Sequence, residues 1–382
     1  MQQVDLLIKN GLVIDRGRSE RRDVAAKNGR IVSIDADQKL SAVRTLDASG
    51  CIVSPGLIDA HTHTFYGASD LGIHADLALL PAGVTRAVDA GTSGVANYEL
   101  FLQQNRNHLV KSKLFLNLCP VGIATYQFKE PILPATWQPE KFEEAFARHG
   151  SELLGLKLRM SRNIVTSDPL GTLAKAADIA HGLGKRLCIH VTNTDCPQTA
   201  FLNHLQKGDI YCHVFQGTGQ TILDASGRVY DAFFEAQAAG VILDAASGKF
   251  NFSFDVARRA LDQGLLPDII SSDLTLSNQF YEYVDVGLPY IMSKFLALGM
   301  PLEEVFLRAT YRPAQVLGLE DGAGTLEPGA AADIAVFRLA EEPTLFLDTQ
   351  GRRLPGDRLL LPQATVCDGR LVYKQLNFGF ER

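Results

Sequence analysis

Residues 4–54 alternate short apolar stretches with turn-forming residues. VDLLIKNGLVID and DVAAKNGRIVSID each place an Asn-Gly pair between apolar runs, the strongest short-range hairpin signal. From about residue 55 the pattern changes to apolar runs separated by longer segments of helical periodicity. The runs are GLIDAH (56–61), VTRAVDAG (84–91), LFLNLCPVG (114–122), LLGLKLRM (153–160), RLCIHVTN (186–193), DIYCHVFQG (209–217), VILDAASG (241–248) and DIISSDLT (268–275). PEKFEEAFARHGSELL, PLGTLAKAADIAHGLG and DVARRALDQG are helical segments between them. Eight strands, each followed by a crossover, imply parallel pairing. Residues 55–318 are the right length for a (β/α)8 TIM barrel. An open doubly wound sheet would call for a Gly-rich phosphate turn after the first strand, and SPGLIDAHTHTF has none. Strand-and-turn patterning returns after residue 318 in GTLEPGAAADIAVFRL and ATVCDGRLVYK. Each flank is thin for an independent core. Residues 1–54 and 319–382 are therefore expected to form one small β-sandwich domain, with the α/β barrel between them.

Composition narrows the partners. Lys and Arg number 37 against 43 Asp and Glu, a net charge of −6, which argues against a nucleic-acid groove or an anionic membrane surface. Hydrophobic residues at 46% and charged residues at 21% exclude a disordered or collagen-like chain. No apolar run approaches the ~20 residues that span a bilayer, and MQQVDLLIKNG lacks the features of a signal peptide. The expectation is a cytoplasmic protein with a small-molecule substrate, compatible with a homo-oligomer. The six cysteines are too sparse for a disulfide scaffold, and Cys188 and Cys212 sit inside apolar runs as small buried hydrophobes.

Chemistry enters where polar groups interrupt the strands. His61 and His63 lie two residues apart at the end of the first run, on the same face at strand periodicity. Lys157 falls in the fourth run, His190 in the fifth, His213 in the sixth and Asp273 at the end of the eighth. Any one of these alone reads as a hydrogen-bonded core histidine or an ion pair. Together they put metal-competent groups at the C-terminal end of one barrel, where barrel active sites lie. His74, His108, His149, His181 and His204 fall in helices or loops and read as surface groups. Arg159, two residues after Lys157, projects from the same face. It suits an oxyanion or a substrate carboxylate, or a salt bridge that closes the strand end.

SPGLIDAHTHTF after an NG-rich β segment, the strand-end Lys, His, His and Asp, and a final GTLEPGAAADIAVF resemble the amidohydrolase superfamily of metal-dependent hydrolases over essentially the whole chain. The resemblance implies a binuclear site of two Zn2+ per chain. His61, His63 and Asp273 would hold the more buried ion, and His190 and His213 the second. Lys157, carboxylated by CO2 to a carbamate, would bridge them. A single-metal site with an uncarboxylated lysine is the alternative. The implied mechanism is attack by a metal-bridging hydroxide, with Asp273 as general acid–base.

Dihydroorotases carry an arginine two places after the HxH, whereas this chain reads His61-Thr62-His63-Thr64-Phe65. GLKLRM with HVTN and CHVFQG is more similar to deacetylases that cleave acetyl esters or amides of small carboxylated molecules, such as N-acetyl amino acids or O-acetyl 2-hydroxy acids. A cyclic-amide hydrolase of the dihydroorotase or hydantoinase type is the second reading, and a non-catalytic barrel homologue the third. Phe250, Phe252 and Phe254 would share one side of an extended loop and wall the pocket, or simply cover the barrel mouth. The Gly91-Thr92-Ser93-Gly94 segment could approach the substrate or be a plain turn. Tyr126 and Lys129 are further pocket candidates.

Overall fold

The computed structural model describes residues 2–34, 40–124, 130–279 and 286–379. The N-terminal segment forms β1 (Gln2–Asp15), β2 (Arg18–Lys27), β3 (Arg30–Ser33), β4 (Leu40–Asp47) and β5 (Ile52–Pro55). Asn28-Gly29 makes the expected β2–β3 turn, both residues at positive φ (51° and 75°) as a two-residue hairpin requires. Asn10-Gly11 does not make a turn. It lies inside β1, where the register with β2 shifts between Ile8 and Gly11, and the first hairpin turns instead at Arg16-Gly17. A Cβ at position 11 would sit 2.4 Å from Cγ2 of Val53, so this glycine serves the approach of β5.

The barrel strands are β6 (Leu57–Thr62), β7 (Val84–Asp89), β8 (Lys111–Asn117), β9 (Leu153–Met160), β10 (Arg186–Val191), β11 (Ile210–Cys212) and β12 (Ile242–Asp244). They pair in parallel, each with the next in sequence. Helices Pro139–His149, Pro169–Gly182 and Phe254–Asp262 are among those that follow the strands. Burial on both faces explains why the strands read as continuous apolar runs.

The eighth run, 268–275, is not a regular strand. It closes the ring through two isolated parallel bridges, Asp244 to Ile269 and Thr62 to Leu274. Positive φ at Asp273 (52°) interrupts extended pairing; backbone bonds such as Ser247 N–H to the Ser271 carbonyl and Asp273 N–H to the His61 carbonyl remain on both sides, and side chains add to them. Asp59 accepts from the backbone N–H of Ser272 at 2.9 Å and from its hydroxyl, and Asp244 accepts from the Ser271 hydroxyl.

The chain ends with β13 (Ile334–Leu347), β14 (Arg353–Cys367) and β15 (Arg370–Lys374). β5 pairs with β1 on one side and β13 on the other, so both ends of the chain share one eight-stranded sheet in the order β15-β14-β13-β5-β1-β2-β3, with β4 branching from β1. Leu6, Ile8, Val24 and Val53 from one end share a buried cluster with Ile334, Val336 and Val366 from the other. The β13–β14 hairpin reaches beyond this sheet. Its tip residue Thr349 donates backbone and hydroxyl hydrogen bonds to the carbonyl of Phe252, and Leu360 N–H bonds to Ser293 of the barrel helix Leu288–Ala297. No helix among the described residues is long and apolar enough to cross a membrane.

Candidate metal centre at the C-terminal end of the barrel

Several barrel segments end in a left-handed residue, and these kinks aim the polar groups. Positive φ occurs at Asn193 after β10 (54°), His213 after β11 (65°), Ala246 after β12 (36°) and Asp273 (52°). Conformations of this kind are costly for non-glycine residues and concentrate at functional sites. They turn the chain out of the strand direction where the side chains meet in a cavity of about 530 Å³. His61, His63, Lys157, Arg159, His190 and Asp273 line it. His213 is fully buried beside it, its ring centroid 4.3 Å from that of His190 and 5.1 Å from that of His61. The seven residues singled out for metal binding and catalysis therefore converge.

The hydrogen bonds behind the imidazoles decide what their front nitrogens are. His213 Nδ1 lies 2.7 Å from the carbonyl oxygen of Ala246. A carbonyl only accepts, so Nδ1 carries the proton and Nε2 presents a lone pair. That Nε2 is buried with no hydrogen-bond partner among the described residues. His61 Nδ1 faces Asp244 Oδ2 at 3.2 Å, which fixes the same tautomer. His63 Nδ1 is 2.7 Å from Thr92 Oγ1, whose own proton goes to Asp89 Oδ2. Three imidazoles thus have Nδ1 committed behind the site and Nε2 directed into it, the arrangement found behind metal-ligating histidines.

Opposite them stands Asp273, whose Oδ1 lies 3.3 Å from His63 Nε2 and 3.6 Å from His61 Nε2. Facing acceptors of this kind need a cation or a proton between them. Burial works to raise the Asp273 carboxyl, but a proton shared with His63 and the imidazoles grouped around it outweigh burial and hold the group well below its ordinary range. A divalent ion would take that proton's place. Ligand atoms of His61, His63 and Asp273 lie within 4.8 Å of one another. Burial drives His61 and His190 well below the usual histidine value and His213 down to about 3, so these groups are neutral, as metal ligation requires. The donor set fits a nitrogen- and oxygen-ligated divalent metal.

Lys157 is buried, with Nζ 3.4 Å from His61 Nε2, 3.6 Å from Cys188 Sγ and 3.9 Å from Cys212 Sγ. Burial opposes its charge, yet the two sulfurs and the carboxylates of Asp273 and Asp244 outweigh that and raise it above an ordinary lysine. A Cβ at Gly91 would lie 2.6 Å from Lys157 Cβ, so that glycine makes room for the lysine stem. The Gly91–Gly94 segment thus acts at the site's back. Thr92 orients His63, and Asp89 accepts from the backbone N–H groups of Gly91, Thr92 and Thr64.

Arg159 makes the expected salt bridge and is also placed at the cavity. It lines the cavity, and its Nη1 lies 2.6 Å from Oε2 of Glu130. The Glu130 carboxylate is buried and also accepts from Asn117 Nδ2 at 2.6 Å. The aromatic wall needs correction. Phe250 is half exposed and lines the cavity, but Phe252 and Phe254 are buried, with the Phe252 ring packed against Phe215, Phe254 and Phe295. The segment is not extended there, because a helix begins at Phe254, and alternation no longer applies. Tyr126 and Lys129 lie outside the described residues. His149 and His181, read as solvated, are partly buried and paired with Glu152 and Asp209.

Sequence reasoning missed Glu130, Asp89, Asp244 and Asn251, and named Thr92 only within a segment that could approach the substrate, not as the partner of His63. Asp89 and Asp244 carried the one available signal, an ionisable residue inside an apolar run. The others sit in loops and follow no spacing.

Residues 52–356 match the model of the Amidohydrolase family. A deacetylase of Agrobacterium fabrum is 29% identical over 97% of this chain and 92% of its own length. A dihydroorotase of Pelotomaculum thermopropionicum is 28% identical over 96% of this chain and 98% of its own. Among solved structures, an adenine deaminase superposes with a TM-score of 0.90 at 28% identity, covering 97% of this chain and all of that one.

Proposed function

The chain belongs to the amidohydrolase family of metal-dependent hydrolases acting on amide or ester bonds, and from that premise we propose that it is a binuclear zinc deacetylase. Its substrate is an acetyl amide or ester of a small carboxylated molecule, an N-acetyl amino acid or an O-acetyl 2-hydroxy acid. The observation that supports the metal part is that His61 and His63 have Nδ1 committed and Nε2 facing Asp273, with His213 Nδ1 likewise committed and its Nε2 left without a hydrogen-bond partner among the described residues. His61, His63 and Asp273 would hold one ion, and His190 and His213 the other. Lys157 would join the two as a carbamate, since a free ammonium repels dications whereas a carbamate offers two anionic oxygens. The metal's contribution is to acidify the attacking water and polarise the scissile carbonyl.

The chain's own residues do the rest. Asp273 accepts the proton of the attacking water and returns it to the leaving nitrogen or oxygen. Arg159, steadied by Glu130, offers its guanidinium to the developing oxyanion or to the substrate carboxylate. Phe250 supplies an apolar wall at the mouth.

Within the cyclic-amide reading, the dihydroorotase form is weaker on one specific point. Position 65, two after the HxH, carries a buried phenylalanine stacked on Phe101 at 4.5 Å, so no cation there can grip a substrate carboxylate. The deciding experiment is elemental analysis of protein grown with added zinc, followed by a screen against N-acetyl amino acids, acetylated hydroxy acids and cyclic amides. Close to two ions per chain with hydrolysis of an acetylated acid is the expected result. Well under one ion overturns the binuclear site, and turnover of cyclic amides alone transfers the assignment to the second reading.

A further inference from the structure

We infer that Asn251 is a positioning residue for Asp273, gripping one carboxylate oxygen so that the other alone faces His61 and His63; the catalytic part of this rests on the function proposed above. The main chain of Asp273 is already fixed on both sides. Its N–H donates to the His61 carbonyl at 2.7 Å, and its carbonyl accepts from Asn278 Nδ2 at 2.9 Å. What the backbone leaves free is the last torsion of the side chain, which for aspartate is broad and nearly twofold. Asn251 Nδ2 stops that rotation by donating to Asp273 Oδ2 at 2.9 Å.

The amide cannot flip without loss, because its Oδ1 accepts from the Thr192 hydroxyl at 2.8 Å and a carboxylate offers no donor to an amide oxygen. Asn251 is 5% exposed and Thr192 7%, both at the wall of the cavity. Gly248 completes the fit. A Cβ there would lie 2.2 Å from Asp273 Oδ2 and 2.8 Å from Asn251 Nδ2, so the two groups meet over a glycine. The chain Thr192–Asn251–Asp273 thus ties the end of β10 to the eighth segment across the loop after β12. It leaves Oδ1 facing His61 and His63 and holds Oδ2 on the Asn251 amide.

The test uses the full-length, zinc-loaded protein and three variants, Asn251→Ala, Thr192→Val and Thr192→Ser. Two quantities are measured: kcat and KM on the acetylated substrate that wild type turns over best, and zinc affinity by competition with a chromophoric chelator. Loss of a group behind a metal ligand typically costs 10–100-fold in activity or metal affinity. Asn251→Ala should therefore lose roughly 10–100-fold in kcat, and a comparable factor in zinc affinity, with KM little changed. Thr192→Val should show part of the same loss, and Thr192→Ser, which keeps the hydroxyl, should restore it. A rise in KM at unchanged kcat would make Asn251 a substrate contact and overturn the proposal. So would wild-type kcat and zinc affinity in both Asn251→Ala and Thr192→Val. If Asn251→Ala does not fold, the Thr192 pair decides by itself. If wild type hydrolyses none of the acetylated compounds, the functional reading fails on its own, while the zinc competition still decides the placement of Asp273.

Discussion

A lysine enclosed by two thiols, an imidazole and two carboxylates is the most demanding single residue in the protein. Lys157 has no carboxylate on its own strand, and its amine contacts His61 and the sulfurs of Cys188 and Cys212. If it bridges two ions as a carbamate, Lys157→Ala should lose at least one zinc and most activity. Acetate or propionate at high concentration with zinc should restore part of both by filling the vacated bridge. Two metals and near-normal kcat in Lys157→Ala without added acid would return the site to one ion on His61, His63 and Asp273. Arg159 separates differently. Removal of one oxyanion donor costs ~10²-fold or more in kcat, so Arg159→Met should show that loss at unchanged zinc content if the guanidinium meets the oxyanion. A KM increase at constant kcat would assign it to ground-state binding of a carboxylate. The histidines were legible because each breaks an apolar run. Asn251 and Glu130 were not, since an isolated polar residue in a loop acquires meaning only from what stands opposite it.

Among the elements, the eighth barrel segment combines irregular backbone pairing with side-chain support. It has two isolated bridges in place of a ladder, and Asp59 on Ser272 and Asp244 on Ser271 reinforce its backbone bonds to the neighbouring strand ends. Asp59→Ala would leave the buried N–H and hydroxyl of Ser272 without acceptors, at a cost of about 1–3 kcal/mol. It would also loosen the residue immediately before Asp273. A lowered denaturant midpoint together with reduced activity is the expected outcome, and unchanged stability would show that the segment is secured elsewhere. The same irregularity explains the reach of pattern reading. Apolar runs located the strands, but β11 and β12 stop after three residues where His213 and Ala246 take up positive φ. Periodicity carries no trace of such kinks.

For the molecule as a whole, the buried titratable groups couple stability to pH. Burial lowers His213 to about 3 and pushes His61 and His190 well below 6.5. Between those values and ~6.5 the unfolded chain binds protons that the folded chain refuses, so these three groups withdraw stability as pH falls through that window. Asp59 and Asp244, raised by burial to about 7 and about 6, act in the opposite sense, withdrawing stability as pH rises from ~4 towards those values. Three imidazoles against two carboxyls leave the acid side weaker. Metal-free protein should accordingly melt at a lower temperature at pH 4.5 than at pH 6, as differential scanning calorimetry would show. A metal bound to the folded state alone would stabilise it, so on the proposed function a chelator should lower Tm at neutral pH by the same linkage. A Tm unmoved by the chelator would speak against a resident metal.

The alternation of apolar runs with helical segments, and the strand-end histidines, lysine and aspartate, were set by sequence alone. Burial on both faces of a parallel strand demands continuous apolar runs, and a polar residue that survives there carries a reason with it. The return of β patterning after residue 318 likewise suggested that the two ends belong together. Tertiary structure alone decided which oxygen of Asp273 faces the imidazoles, which nitrogen each histidine presents, that Phe252 is core while Phe250 is pocket, and that Glu130 holds Arg159. These depend on contacts between residues far apart in the chain and on local left-handed turns. Neither leaves a period in the sequence, because distance along the chain does not encode direction in space.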